Sequence, residues 1–139
     1  MNNAPNNLSH KPIVAVNDYD KIDAIYAGVT DARALSIGQA QYDPKEISLK
    51  VWRHTGTKWS RQSEEIPIHR VLDLNILLFA SLMTEVDSKY PVSSLREEII
   101  LENRVEEIRD YYKRNEKMLM PRVKELQAII NNFCDKKTV

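Results

Sequence analysis

The chain has 139 residues and a mass of 16.1 kDa, the size of one domain that can bury most of its unfolded surface. Its composition, 42% hydrophobic and 29% charged, excludes a disordered, collagen-like or disulfide-scaffold chain. The 20 Lys and Arg balance the 20 Asp and Glu. Because no net field draws such a chain to nucleic acid or anionic lipid, we expect neither partner.

The N-terminal residues are rich in Asn. Residues 1–12 are predicted to form a flexible arm, and residues 13–139 a single α+β domain. The arm resembles neither a signal peptide nor a transit sequence, and the single cysteine, Cys134, cannot form an internal disulfide. The longest apolar run, Val71 to Met83, is shorter than a membrane span. We therefore expect a cytoplasmic protein.

A short helix is predicted from Asp18 to Ala27, with Asp20 as its cap and Gly28 as its end. From Ala34 to Ser63 the hydrophobic period changes to two, which predicts a three-stranded antiparallel meander whose third strand is Lys58 to Ser63.

The second predicted strand has one apolar face. Ile47, Leu49 and Val51 alternate with polar residues, so these three side chains are expected to be buried. In the first strand the apolar parity switches at Gly38, which predicts a β-bulge there.

The turn into the third strand leaves two registers open. A two-residue turn at Thr55 and Gly56 places Trp52 opposite Trp59 on an exposed, basic face suited to a peptide or single-stranded nucleic acid. A three-residue loop, His54 to Gly56, fits better because threonine disfavours positive φ, and it moves Trp59 to the core. The candidate binding residues are Trp52, Trp59, Arg61 and Arg70.

The pattern after the strands is helical. The segment His69 to Val86 is apolar around most of its circumference, which predicts a central helix covered by the sheet and by other helices. Tyr90 and Pro91 break it, and a capping box of Ser94 and Glu97 predicts the next start. An apolar stripe then runs from Leu101 to Phe133 and slips in phase at Pro121, which predicts a helical pair broken near that residue.

Polar side chains concentrate where the last strand meets the central helix. Two acidic residues precede the helix, and His69 and Asp73 are four residues apart, so the carboxylate could orient the imidazole. No glycine-framed nucleophile elbow is present, and helix starts commonly collect such residues, so the structural interpretation is favoured. The candidate catalytic residues are Glu64, Glu65, His69 and Asp73, with Ser60 or Ser63 as nucleophile.

Metal and nucleotide chemistry lack their usual motifs. There is no H-E-x-x-H spacing, and the other two histidines lie in the predicted arm (His10) and at a hairpin tip (His54). The three glycines form neither a G-x-G-x-x-G loop nor a Walker motif. We expect no metal and no cofactor.

The run K-V-W-R-H-T-G-T-K-W-S-R-Q-S-E-E-I-P-I-H-R-V-L-D-L, within Leu35 to Leu78, resembles a small uncharacterised bacterial family of domains of unknown function. The resemblance implies no activity or site, and it favours a stand-alone bacterial cytoplasmic protein.

The sequence therefore predicts a three-stranded β-meander packed against a central helix and a C-terminal helical pair. The leading functional hypothesis is a non-catalytic interaction or oligomerising domain that uses apolar helix surface, with itself or another protein as partner. The alternative is a small acid/base enzyme, hydrolase-like, that binds a small molecule at the strand–helix junction.

Overall fold

The structure is a computed structural model that describes residues 2–84, 89 and 91–137. The chain divides into two compact units, Met1–Ile76 and Leu77–Val139, where the sequence predicts a single domain over residues 13–139. The boundary falls inside a helix, after Ile76.

The first unit contains one antiparallel sheet, which confirms the α+β class. Its strands are β1 (Lys11–Val16), β2 (Ala32–Gln39), β3 (Ile47–Arg53) and β4 (Glu65–Pro67), and they lie side by side in chain order. The prediction of three strands is therefore wrong, because the described residues form four.

The additional strand is β1, which begins inside the predicted arm at Lys11. Its β-branched residues favour an extended chain, and it pairs along β2 with a bulge between Pro12 and Val14. The bulge lies opposite Gly38, where the sequence predicts a bulge, but its extra residue is in β1 and not in β2. A Cβ at Gly38 would collide with the backbone carbonyl of Lys11, so only glycine permits this close approach.

The predicted third strand, Lys58 to Ser63, does not form. An isolated bridge between His54 and Trp59 closes a four-residue loop, so neither predicted register occurs. The chain then turns, because Ser60 and Ser63 bond with their side chains to nearby backbone groups and replace the ladder there. Pairing with β3 resumes in β4, where Pro67 is tolerated because β4 is an edge strand.

The more deeply buried face of the sheet is not the predicted one. On β3, Ser48 and Trp52 are buried, whereas Ile47 is exposed and its neighbours on that face are only half-buried. On β2 the buried positions are a column of small residues, which Ala40 continues directly after the strand: Ala32, Ala34, Ser36 and Gly38.

The predicted short helix is replaced by two 3-10 turns, Tyr19–Lys21 and Ala24–Tyr26. The backbone of Asp18 (φ 56°) and Ala24 (φ 49°) is left-handed, which interrupts a regular helix. Gly28, with φ 84°, follows the turns at the predicted end.

Three α-helices complete the described chain: α1 (Ile68–Met83), α2 (Glu106–Arg114) and α3 (Glu116–Lys137). The predicted end of the central helix at Val86, and the predicted break at Tyr90, lie outside the described residues. No described helix is long and apolar enough to cross a membrane.

The predicted capping box does not start a helix. Glu97 accepts hydrogen bonds from the Ser93 hydroxyl and from the amides of Val92 and Ser93, and these contacts close a turn. The hydrogen bond from Ser93 is the main cause that lowers the pKa of Glu97 to about 2.

The helical pair is present, but its break lies at Asn115 instead of Pro121, which is inside α3. The side-chain amide of Asn115 donates to the Tyr111 carbonyl and ends α2, while the Asn115 carbonyl accepts the amides of Met118 and Leu119 in the first turn of α3. A polar residue in the apolar stripe therefore sets the break.

The apolar helix α1 is largely exposed. Of its residues only Ala80 is buried. Seven large apolar side chains are between 41% and 66% exposed: Ile68, Leu72, Leu74, Ile76, Leu77, Leu78 and Met83.

Candidate functional site

A buried polar network crosses the whole sheet. His10 directly precedes β1, Ser36 lies on β2, Ser48 on β3 and Glu65 on β4. His10 and Ser48 are completely buried, and the side chain of Glu65 is 11% exposed. Strands β2, β3 and β4 and the residue before β1 therefore each contribute one polar group to the same buried face.

Both nitrogens of the His10 ring have partners. Nε2 lies 3.0 Å from Ser36 Oγ, and Nδ1 lies 3.0 Å from Ser48 Oγ and 3.3 Å from Glu65 Oε2. The same carboxylate oxygen accepts the Ser48 hydroxyl at 2.6 Å and the backbone amide of Gln41 at 2.9 Å.

Ser48 fixes the direction of these hydrogen bonds. Its hydroxyl donates to Glu65 Oε2, so its oxygen accepts from His10 and Nδ1 carries the proton. Nε2 then accepts from the Ser36 hydroxyl, whose oxygen accepts the Trp52 indole N–H at 2.8 Å. This assignment, made from the partners, satisfies every member of the network with a neutral imidazole.

The small residues of β2 make room for the two rings. Successive side chains of a strand alternate between faces, so the buried column on β2 leaves space above Ala34 and Gly38 for His10 and Trp52. The rings pack edge to face with centroids 5.7 Å apart.

Burial sets the electrostatics of the network. Burial is the main cause that lowers the pKa of His10; the hydrogen bond and charge of Glu65 act in the opposite direction, and Lys50 adds to the lowering. For Glu65, burial alone would raise the pKa, but hydrogen bonds from Ser48, Gln41 and His10 together outweigh it and lower the pKa. Glu65 is therefore held ionised beside a neutral histidine.

Lys50 covers one side of the network. Its ammonium lies 4.1 Å from the centre of the Trp52 ring, a cation–π contact. Burial lowers the pKa of Lys50, and the charge of Glu65 partly compensates.

Ser36, His10 and Glu65 are hydrogen-bonded in the order of a hydrolytic triad. The surroundings of Ser36, however, are not those of a catalytic nucleophile. The Ser36 side chain is almost wholly buried, and its oxygen already accepts the Trp52 indole proton. A nucleophile must reach its substrate, and it needs donors aimed at an oxyanion beside it. The geometry therefore suits a network that fixes strand pairing better than one that attacks a substrate.

The candidate catalytic residues do not converge. Glu64 and Glu65 are consecutive residues at the start of β4, and their side chains have different partners. Glu64 bonds to Arg53 at 2.8 Å, and Glu65 bonds to His10. The Arg53 hydrogen bond is the main cause that lowers the pKa of Glu64. His69 is exposed at the start of α1, and no hydrogen bond or ion pair of the described residues joins it to Asp73.

The candidate binding residues are also separated. Trp52 is buried, and Trp59 is half-buried with its ring 5.6 Å from that of Trp52 and 4.9 Å from that of His54. Arg61 and Arg70 are exposed. Trp52 thus belongs to the buried network, and an exposed platform of two tryptophans does not form.

Three members of the network, His10, Ser36 and Ser48, were not singled out from the sequence. The available signal was the alternation of small residues along β2, which is typical of a strand that faces large side chains. Across the described residues there is no group of three or more His, Cys, Asp or Glu placed to hold a metal ion.

Comparison with known proteins identifies a family. Residues 1–98 match the model of a family of unknown function (DUF6530), and the chain belongs to this family. The matched segment includes the complete sheet and α1. No curated protein and no solved structure matches the chain.

Proposed function

We propose that this protein is a non-catalytic, self-associating domain and that the apolar surface of α1 forms the contact between copies. The observation that carries the proposal is the exposure of this helix, in which seven large apolar side chains are more than two-fifths exposed. Contiguous apolar surface of this kind marks interaction sites in soluble proteins.

The exposed side chains include a continuous stripe. At 100° per residue, Ile68, Leu72, Ile76 and Met83 lie on one side of α1, and the half-buried Phe79 lies between them. A 16-residue helix is about 24 Å long, so the stripe is long enough for helix-to-helix packing.

The proposed pair is antiparallel about a two-fold axis near the middle of α1. Such an axis lies close to Ile76 and presents the same apolar stripe to itself. Arg70 lies about 160° around the helix from the centre of the stripe, so this cation stays outside the contact.

The chain has a single cysteine, Cys134, which is exposed, and this low cysteine content favours a reducing, cytoplasmic location. The acid/base enzyme built on Glu64, Glu65, His69 and Asp73 stays a prediction, and no contact between these four side chains favours it.

Sedimentation equilibrium over a range of protein concentrations tests the proposal. We expect the wild-type mass to rise above 16.1 kDa with concentration and Leu72→Glu to weaken association by at least tenfold, because a charge would enter the apolar contact. Val29→Glu is the matched control, since Val29 is 82% exposed and outside the strands and helices. A monomer at every concentration, or equal effects of the two variants, contradicts the proposal.

A further inference from the structure

We propose that the outer edge of β1 is a second self-association site, where it pairs antiparallel with β1 of another copy and joins the two sheets. β1 is the first strand in the sheet order, and among the described strands it pairs only with β2. In an antiparallel sheet half of the backbone N–H and C=O groups of an edge strand point outwards. Among the described residues, no hydrogen bond outside the β1–β2 ladder reaches the backbone of residues 13–16.

The opposite edge of the sheet differs. β4 has only three residues, ends at Pro67 and continues directly into α1, which are features that prevent strand addition. In β1 such protection is confined to the first half, where Lys11, Pro12 and the bulge lie. The segment Val14–Val16 has no residue that blocks pairing.

Among the described residues, the hydrogen bonds between the N-terminal segment and the region around β1 lie near the ends of the strand. Asn2 accepts the Asp18 amide and the Ala4 amide donates to the Asn17 side chain, both at 2.8 Å, beyond the C-terminal end of the strand. At the other end, the Lys11 ammonium donates to the Asn6 carbonyl. Ile13 and Val14 remain 71% and 64% exposed, which is unusual for a strand in a folded sheet.

The sequence of β1 is complementary to itself. With a two-fold axis at Ala15, Val14 of one copy lies opposite Val16 of the other, and such β-branched pairs stabilise sheets. The charged side chains in residues 11–18 are Lys11 and Asp18. In this register residues 14–16 of the two copies pair with each other. Asp18 does not extend the ladder, because its backbone is left-handed and its amide bonds to Asn2. Lys11 of one copy lies near the end of the other strand, which Asp18 follows, so opposite charges meet at both ends of the pair.

A pyrene label on Ala15→Cys in a Cys134→Ser background tests the edge pairing, because excimer emission requires two pyrenes in contact. We expect strong excimer emission from Ala15→Cys and none from the exposed control Val29→Cys. Adding Val14→Lys should abolish the emission, since edge lysines prevent strand addition, and circular dichroism verifies that each variant is folded.

The same measurement in a Leu72→Glu background separates this site from the contact at α1. Excimer emission should persist there even if α1 association is lost. An Ala15→Cys signal no stronger than that of Val29→Cys, or one that survives Val14→Lys in a folded protein, overturns the pairing at β1. Loss of excimer emission when an unrelated extended peptide is added would also overturn the assignment to a second copy.

Discussion

Glu65 Oε2 lies 3.3 Å from Nδ1 of His10, although 55 residues separate the two in the sequence. The carboxylate is itself held by Ser48 and the Gln41 amide, so it keeps the proton on Nδ1 and leaves Nε2 to accept from Ser36. Because His10 precedes β1 and Glu65 begins β4, this contact ties together the two edges of the sheet.

Replacement of His10 by Ala should lower the free energy of unfolding by about 2 to 4 kcal/mol, because it leaves a cavity and removes the acceptor of the buried Ser36 hydroxyl. Urea denaturation followed by tryptophan fluorescence measures this loss. His69→Ala is the matched control, and because His69 is exposed we expect a change of no more than about 0.5 kcal/mol. Equal losses in the two variants would exclude His10 as the centre of the network.

Stability should fall as the solution is acidified through the pKa of folded His10. The folded pKa is lower than the ordinary value of 6.5, so the fold binds this proton less readily than the unfolded chain does. The stabilisation is complete above the unfolded pKa of about 6.5 and is lost as the pH falls through the folded pKa. Glu65, whose pKa is also lowered, stays ionised until more acidic pH.

Denaturation at several pH values from 7.5 to about 4.5, on wild type and His10→Gln, isolates this effect. In His10→Gln, the free energy of unfolding should depend less steeply on pH, because the contribution of His10 is absent. If the wild type instead became more stable than His10→Gln as the pH falls, the folded protein would prefer the charged ring, which contradicts the account.

Gly38→Ala should destabilise the sheet severely, because the added methyl group would collide with the backbone of Lys11 and Ile13 and push β1 away from β2. We expect amide hydrogens in β1 to exchange much faster, with a loss of about 2 kcal/mol or more. Gly56→Ala is the comparison: its φ of 102° is strained, but a Cβ there meets no atom. If β1 keeps its protection in Gly38→Ala, the bulge geometry is wrong.

Trp52→Phe removes the donor to Ser36 and should cost about 1 to 3 kcal/mol. The remaining Trp59 is half-buried, so the fluorescence of this variant should shift to longer wavelength than that of wild type. Trp59→Phe should instead leave the blue-shifted emission of buried Trp52 and cost less stability. If the emission maximum of Trp59→Phe lay at longer wavelength than that of Trp52→Phe, Trp52 would not be the more buried tryptophan.

Strong local patterns predicted the fold class well. Strict alternation around Leu49 identified β3, and the run of apolar residues after Pro67 identified α1. Two strands escaped prediction for physical reasons: β1 follows an Asn-rich stretch, and β4 is too short for a periodic signal. Side-chain hydrogen bonds of single residues, Ser63 and Asn115, decided where a strand and a helix end, and periodicity does not encode such bonds.

The candidate site was less predictable, because its members come from three strands and from the residue that precedes β1. The sequence selects Glu65, but the histidine that it selects is His69, which it pairs with Asp73 four residues along the chain, since helical spacing is visible in a sequence. The contact with His10 depends on the registers of three strand pairs. A one-residue slip in any register would move the side chain to the opposite face.

The most direct test of self-association through α1 is an intermolecular disulfide at Ile76→Cys in the Cys134→Ser background. Ile76 lies on the apolar stripe near the middle of α1, so in an antiparallel two-fold pair the two cysteines of a dimer lie close to each other. Mild oxidation followed by non-reducing electrophoresis should convert most of this variant to a covalent dimer and leave Val29→Cys monomeric. Dimer formation by Ile76→Cys that does not exceed that of Val29→Cys would contradict the proposed contact.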